Sequence, residues 1–184
     1  NSNSDILLLG EMGIGNSTIS SALCLATFGG QGSDWVGAGT GSDTEGITKK
    51  ANIIELARAI NQDRLNTPFE ILMSLGGREQ AAICGALVAA RRQNIPVIID
   101  GFIASSAIAP LISVDQIYDH VIFAHQSAEA GHGRLLDKLG KVPMFDLGMR
   151  LGEGSGAALA LSIIRASLAC HNGMATFAEA GIGA

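Results

Sequence analysis

Two glutamates stand inside glycine-rich segments, where a ligand can reach their side chains. Glu153 lies between Gly152 and Gly154 in GMRLGEGSGAALAL, directly before Ser155 and an alanine-rich stretch typical of a helix. A carboxylate held there and partly desolvated has its pKa raised toward the range that a general base needs. The structural alternative is that the acid only complements the dipole of the helix, with Ser155 as its N-cap.

The second glutamate, Glu11, belongs to the string GEMGIGN. Gly13 and Gly15 let the main chain approach a phosphate, which the amides and dipole of a following helix attract. The spacing is that of a Walker A loop, but Asn16 replaces the required lysine, and the glycines fit a dinucleotide fingerprint imperfectly. The alternative is a plain strand–helix turn with Asn16 or Ser17 as the N-cap and Glu11 as a solvated charge.

Other polar residues follow apolar runs or lie on helices. Asp100, in DGF, either meets a ligand hydroxyl or caps the next helix. HQSAEAGH contains Ser127 between His125 and His132, but no third ligand has the spacing of a metal site, so no metal is predicted. Lys50 lies on an amphipathic helix and is either solvated or a phosphate ligand. The G-x-S-x-G string of serine hydrolases is not present in the sequence.

The elements that position these residues are read from short apolar runs, each followed by a turn and a helix. Runs without alternation, separated by helices, are typical of a parallel sheet covered on both faces. We therefore predict one doubly wound α/β domain over residues 1–184, with ligands bound beyond the carboxyl ends of the strands. Strands are predicted at 6–9, 97–99, 121–124 and 144–147, and helices at 17–28, 48–60, 68–76, 78–92, 103–112, 132–139 and 157–172.

Composition excludes several classes of protein. The net charge is −5 with scattered Lys and Arg, and aromatic residues make up only 4%, which argues against a nucleic-acid partner. No apolar run has the length of a membrane span. Cys24, Cys84 and Cys170 are interpreted as reduced core thiols of a cytoplasmic protein. Because the sequence lacks an initiating Met and reaches an apolar strand at once, we expect that an amino-terminal portion is missing.

Taken together, the motifs resemble those of the nicotinate-nucleotide:dimethylbenzimidazole phosphoribosyltransferases. The likeness runs in order along the whole chain, through GEMGIGNST, VGAGTG, LGG, PVIIDGF, HQSAEAGH and MRLGEGSGAALAL. The resemblance implies a Rossmann-like parallel sheet flanked by helices, with a small helical domain. It also implies a homodimer with the active site near the dimer interface, and no cofactor is predicted. The implied reaction moves phosphoribose from nicotinate mononucleotide to 5,6-dimethylbenzimidazole, giving α-ribazole 5′-phosphate and nicotinate, in assembly of the lower ligand of cobalamin.

The resemblance also assigns roles to residues. It implies that Glu153 is the catalytic glutamate and that Glu11 is a second functional glutamate. The residues implied to contact the nucleotide are Gly13, Gly15, Asn16, Lys50, Asp100 and Ser127. Gly152 and Gly154, which flank Glu153, are also implied to bind substrate. The family's long amino-terminal region is not in the sequence, so activity of the chain alone is open and exposed apolar surface is expected.

Two other functions are open at this point. A nucleotide-dependent oxidoreductase of doubly wound fold requires an acid at the end of the second strand to hold a ribose, but it leaves GEGSG unexplained. A non-catalytic nucleotide-binding domain would also explain the glycine turns. The presence of both Glu11 and Glu153 favours catalysis instead.

Overall fold

Three short strands form the centre of the computed structural model, which describes residues 4–39 and 41–183. They pair in parallel in the order β1-β2-β3, with Ile98 opposite both Leu8 and Ile122. Their near-continuous apolar sequences suit strands that are covered on both faces. The predicted parallel α/β sheet is therefore confirmed. The strands are β1 (Leu7–Leu9), β2 (Val97–Ile99) and β3 (Val121–Phe123).

Seven α-helices lie around this sheet in the described residues, and α4 has the predicted bounds. The predicted helix at 103–112 is shorter than expected, because α5 continues as a 3-10 helix at Ala109–Ser113, where Pro110 has no N–H to donate. Further 3-10 helices occur at Gly32–Asp34 and Gln62–Arg64. The α-helices are α1 (Asn16–Phe28), α2 (Thr44–Ile60), α3 (Pro68–Leu75), α4 (Arg78–Arg92), α5 (Phe102–Ile108), α6 (Ala130–Leu139) and α7 (Ser155–Gly173).

The strand predicted at 144–147 is wrong. This run forms only an isolated parallel bridge, between Phe145 and His125. The Met144 N–H donates to Phe123 O at 3.0 Å, and the Gln126 N–H donates to Phe145 O at 2.9 Å. Gly148 then turns the chain away with a φ of 65°. The run therefore follows the loop after β3 instead of extending the sheet as a regular strand.

The two faces of the sheet are covered unequally. Side chains alternate between the faces of a strand, so Val97 and Ile99 join the larger core with residues of α1, α4, α5 and α6. Ile98 points to the opposite face, where it packs against Ala157 and Ala160 of α7. Among the described residues, α7 is the only helix in that second cluster. The small alanines bring the start of α7 close to the carboxyl ends of the strands.

The outer surface of α7 is largely exposed, and this overturns one prediction. Cys24 and Cys84 are buried as expected, but Cys170 is exposed near the end of α7. The apolar sequence around it faces solvent because only the first turns of the helix pack on the sheet. No helix in the described part of the chain is long and apolar enough to span a membrane.

Candidate active site

Four loops beyond the carboxyl ends of the strands line most of one cavity of about 770 Å³. They follow β1, β2, β3 and the Phe145 bridge, and they contain most of the polar residues that the sequence singled out. Parallel strands place such loops at one edge of the sheet. The predicted residues that line the cavity are Glu11, Gly13, Gly15, Asn16, Asp100, Ser127, Gly152 and Glu153.

The two glutamate-containing loops contact each other directly. The Glu153 N–H donates to the carbonyl oxygen of Glu11 at 3.0 Å. A Cβ placed on Gly10 would lie 2.5 Å from the Cα of Gly154, closer than any side chain permits. Glycine at position 10 is therefore required for the close approach that brings both carboxylates to the same cavity.

The backbone at Glu153 is left-handed. Its φ is 60°, between 81° at Gly152 and 75° at Gly154. A non-glycine residue in this region costs on the order of 1 kcal/mol or more and needs neighbouring contacts that hold it. The Glu153 side chain is exposed at the cavity, so the expected partial desolvation is not provided by the surrounding protein.

The cap of α7 comes from a distant loop. Asp100 is 3% exposed, and its Oδ1 accepts from the Ala157 N–H at 2.9 Å while its Oδ2 accepts from the Gly154 N–H at 3.2 Å. The prediction that Ser155 is the N-cap is wrong, because Gly154 holds that position and the Ser155 hydroxyl donates to Gly152 O at 2.8 Å. Asp100 does act as a cap, but on α7 and not on the helix that follows it in sequence.

Glu11 is the half-buried carboxylate of the cavity. Burial raises its pKa, as do the nearby charges of Glu79 and Asp100, whereas a hydrogen bond from the Asn16 side chain lowers it. Asn16 Nδ2 donates this bond to Glu11 Oε2. The expected N-cap at Asn16 or Ser17 is wrong, since Gly15 takes the position with a φ of 90°. Because the buried Asn16 side chain does not cap α1, its amide is available to orient the Glu11 carboxylate.

Two buried histidines support the loop after β3. The Ser127 N–H donates to His132 Nδ1 at 2.8 Å, so the proton of this neutral ring lies on Nε2, 3.3 Å from Ser105 Oγ. Burial lowers the pKa of His132 to about 3, and the neighbouring His125 adds to the effect. With both nitrogens of His132 engaged, the ring offers no lone pair to a metal. Within the described residues, no three His, Cys, Asp or Glu side chains form a metal-binding group.

Two cations approach the cavity from its edge at Gly39. Lys50 does not line the cavity, but its Nζ lies 3.1 Å from the Cβ position of Gly39. Arg150 lines the cavity and donates to the Gly39 carbonyl oxygen. The sequence reasoning missed Arg150, although it stands three residues before Glu153 in the same glycine-rich string. Neither cation forms a salt bridge with another described residue, so both charges can bind an anion.

The two glutamates and the nearby cations at this cavity agree with the family to which the sequence is similar. A family model described as a phosphoribosyltransferase matches residues 1–182. The chain belongs to this phosphoribosyltransferase family. The oxidoreductase alternative is not favoured: Asp100 does stand at the end of β2, but both of its oxygens accept backbone amides of α7.

Curated relatives and solved structures point the same way. The chain is 57% identical over 178 residues to the nicotinate-nucleotide–dimethylbenzimidazole phosphoribosyltransferase of Novosphingobium aromaticivorans, covering 96% of this chain and 53% of that protein. It is 55% identical over 179 residues to the protein of that name from Brucella anthropi, covering 97% and 53%. The crystal structure of CobT from Thermus thermophilus matches with a TM-score of 0.90 at 35% identity, covering 98% and 54%. The chain thus spans about half the length of the relatives it matches.

Proposed function

We propose that the protein transfers phosphoribose from nicotinate mononucleotide to 5,6-dimethylbenzimidazole, giving α-ribazole 5′-phosphate and nicotinate. The observation that carries this proposal is the contact between the two glycine-rich loops, which holds Glu11 and Glu153 at one cavity through a 3.0 Å backbone hydrogen bond. The named relatives support it. We also propose that this reaction belongs to the assembly of the lower ligand of cobalamin.

Glu153 is the proposed general base. During transfer, the bond between the ribose C1′ and the pyridinium nitrogen breaks, and its electron pair stays with the departing nicotinate. One benzimidazole nitrogen bonds to C1′, and the other nitrogen must lose its proton, which the Glu153 carboxylate accepts. Because the Glu153 side chain is exposed in this structure, its desolvation has to come from the bound aromatic base.

Other residues in and beside the cavity are assigned to the nucleotide. The ribose gains positive charge as the old bond breaks, and the fixed carboxylate of Glu11 stabilises that charge. The phosphate binds at the start of α1, through Gly13, Gly15 and Asn16, within reach of the cations Lys50 and Arg150. Ser127, on the opposite loop of the cavity, contributes a hydroxyl to substrate binding.

The decisive experiment measures nicotinate release by the intact protein with both substrates, while mass spectrometry identifies the ribazole product. We expect Glu153→Gln to lower kcat by about 10²- to 10⁴-fold, the usual contribution of a general base. Glu45→Gln, on the exposed first turn of α2, makes the same change of charge outside the cavity and should leave the rate unchanged.

Two results would count against the proposal. Absence of transfer in the wild-type protein, with nucleotide binding retained, would favour the non-catalytic nucleotide-binding domain. Wild-type rates in Glu153→Gln, with transfer intact, would remove Glu153 from the role of base while leaving the reaction assigned.

We also propose that the protein is a cytoplasmic homodimer and that residues 1–184 form one α/β domain. An apolar stripe on α2 supports the dimer, because Ile53, Leu56 and Ile60 follow helical spacing and are 46%, 60% and 73% exposed. The unpaired, buried thiols of Cys24 and Cys84 support a reducing compartment. Light scattering tests the dimer, and a monomeric mass at micromolar concentration would contradict it.

A further inference from the structure

At the turn that presents Glu153, no local side chain accepts a hydrogen bond from the first amides of α7. Ser155 Oγ donates to Gly152 O, and Gly154 at the N-cap has no side chain. The first amides of α7 lack intrahelical partners, as at the start of every helix, and the three residues before Ser155 all have a positive φ. A strained segment of this kind persists only where its surroundings hold it in place. The partner that satisfies these amides must therefore come from elsewhere in the fold.

That partner is Asp100, at the end of β2. Its two carboxylate oxygens accept from the amides of Gly154, the N-cap of α7, and of Ala157, in the first turn of the helix. Hydrogen bonds from amides to a carboxylate are stronger than those between neutral groups. The carboxylate also faces the positive end of the helix dipole. Asp100 thus fixes the residue directly after Glu153 from a different strand.

The packing around Asp100 leaves it little freedom. His125 is 2% exposed, stacks on the Phe145 ring with centroids 5.8 Å apart, and has its Nε2 3.8 Å from Asp100 Oδ1. A Cβ on Gly156 would lie 2.8 Å from the same oxygen and 2.1 Å from His125 Cδ2. The first turn of α7, the carboxylate and the imidazole are therefore in mutual contact, and none can shift without the others.

We propose that Asp100 is a positioning residue, which holds the Glu153 turn in its left-handed conformation by capping α7 from a separate loop. The inference rests on the proposed function, because it gives Asp100 its effect through the base of that reaction. It differs from a direct nucleotide contact, since both oxygens are already bound to backbone amides.

The first test measures activity in the intact protein. Asp100→Asn keeps the shape of the side chain but accepts only one of the two amide bonds, and Asp100→Ala accepts neither. We expect kcat to fall about 100-fold in the alanine variant and less in the asparagine variant, because a displacement of about 1 Å at a reacting group costs this much. The KM for nicotinate mononucleotide should change by less than about threefold, because substrate contacts are retained.

The matched control removes another helix cap. Thr67 Oγ1 accepts from the Glu70 N–H at 3.2 Å and caps α3, which does not line the cavity. Thr67→Ala should lower thermal stability as the loss of a cap does, with kcat unchanged. A fall of kcat in Thr67→Ala equal to that in Asp100→Ala would show that general destabilisation explains both, and would overturn the proposal.

A second measurement needs no catalytic activity. In the wild-type protein, amide hydrogen exchange at Gly154 and Ala157 should be protected, although amides in the first turn of a helix normally lack partners. Asp100→Asn should reduce that protection by about tenfold or more, as expected for loss of a bond to a charged group. Free exchange of both amides in the wild type would refute the capping role even if the alanine variant failed to fold.

The two measurements separate the possible failures. A raised KM with unchanged kcat in Asp100→Asn would make Asp100 a substrate contact and overturn the inference. No transfer by the wild-type protein would remove the proposed function, whereas protected amides that lose protection in Asp100→Asn would still establish that Asp100 holds the turn.

Discussion

Acid should destabilise the protein through His132, which cannot accept a proton where it lies. Its ring is fully buried, and burial lowers its pKa to about 3, while an unfolded histidine titrates near 6.5. Below pH 6.5 His132 therefore binds a proton in the unfolded chain but not in the folded protein. The contribution to stability is complete above pH 6.5 and is lost as the pH falls from 6.5 towards 3.

The size of the effect follows from this difference in pKa. Each pH unit within that window costs about 1.4 kcal/mol, so lowering the pH from 7 to 4.5 costs about 2.5 kcal/mol from this one ring. Urea unfolding at both pH values measures the loss in the wild-type protein and in His132→Asn. Asparagine keeps an acceptor for the Ser127 N–H and does not titrate. The variant should therefore lose about 2.5 kcal/mol less between the two pH values.

The difference in free-energy loss between the wild-type protein and His132→Asn cancels the contributions of the other titratable groups, because both proteins contain them. His171 lies on the exposed end of α7, and His171→Asn should show the wild-type dependence on pH. Equal losses in wild-type protein and His132→Asn would show that the ring is protonated in the folded state, and the argument from its burial and from the Ser127 N–H bond would then be incorrect.

Two further outcomes are expected at the junction of the glycine-rich loops. Gly10→Ala places a methyl group 2.5 Å from the backbone of Gly154, so we expect a loss of about 1–3 kcal/mol in unfolding free energy and a fall in transfer rate. Gly85→Ala, where the added Cβ meets nothing within 4 Å in α4, should instead stabilise the protein, and equal losses in both would contradict the steric argument. Because the pKa of Glu11 is raised, kcat/KM should fall on the acid side at a higher pH than for an ordinary glutamate. Glu11→Gln should remove the part of that acid limb that Glu11 causes, and an unchanged profile would exclude Glu11 from catalysis.

Local patterns in the sequence were sufficient to predict most of the elements. The bounds of α4 follow from the glycine pair before Arg78 and the basic residues at its end, and β2 follows from an apolar run between Pro96 and Asp100. Both signals lie within a few residues of the boundary they determine. The grouping of eight candidate residues at one cavity follows from the general rule for parallel sheets, which needs no knowledge of side-chain contacts.

The predictions that were wrong depend on contacts between distant segments. Ser155 has the residue type of an N-cap, but the amides near it are satisfied by Asp100, 54 residues away in sequence. The run at 144–147 is apolar enough for a strand, yet it has only one bridge partner. Cys170 sits in an apolar stretch whose outer face packs against nothing in the described chain. No pattern in the local sequence distinguishes these cases from the usual ones.

The position of α7 links the folding of the protein to the chemistry of its site. The same helix covers Ile98 on the second face of the sheet and begins at the turn that carries Glu153. Any fluctuation that lifts it from the sheet also withdraws the carboxylate from the cavity. By thermodynamic linkage, a ligand that binds only the assembled cavity shifts the population toward the docked helix. Substrate would then act as a stabiliser of tertiary structure as well as a reactant.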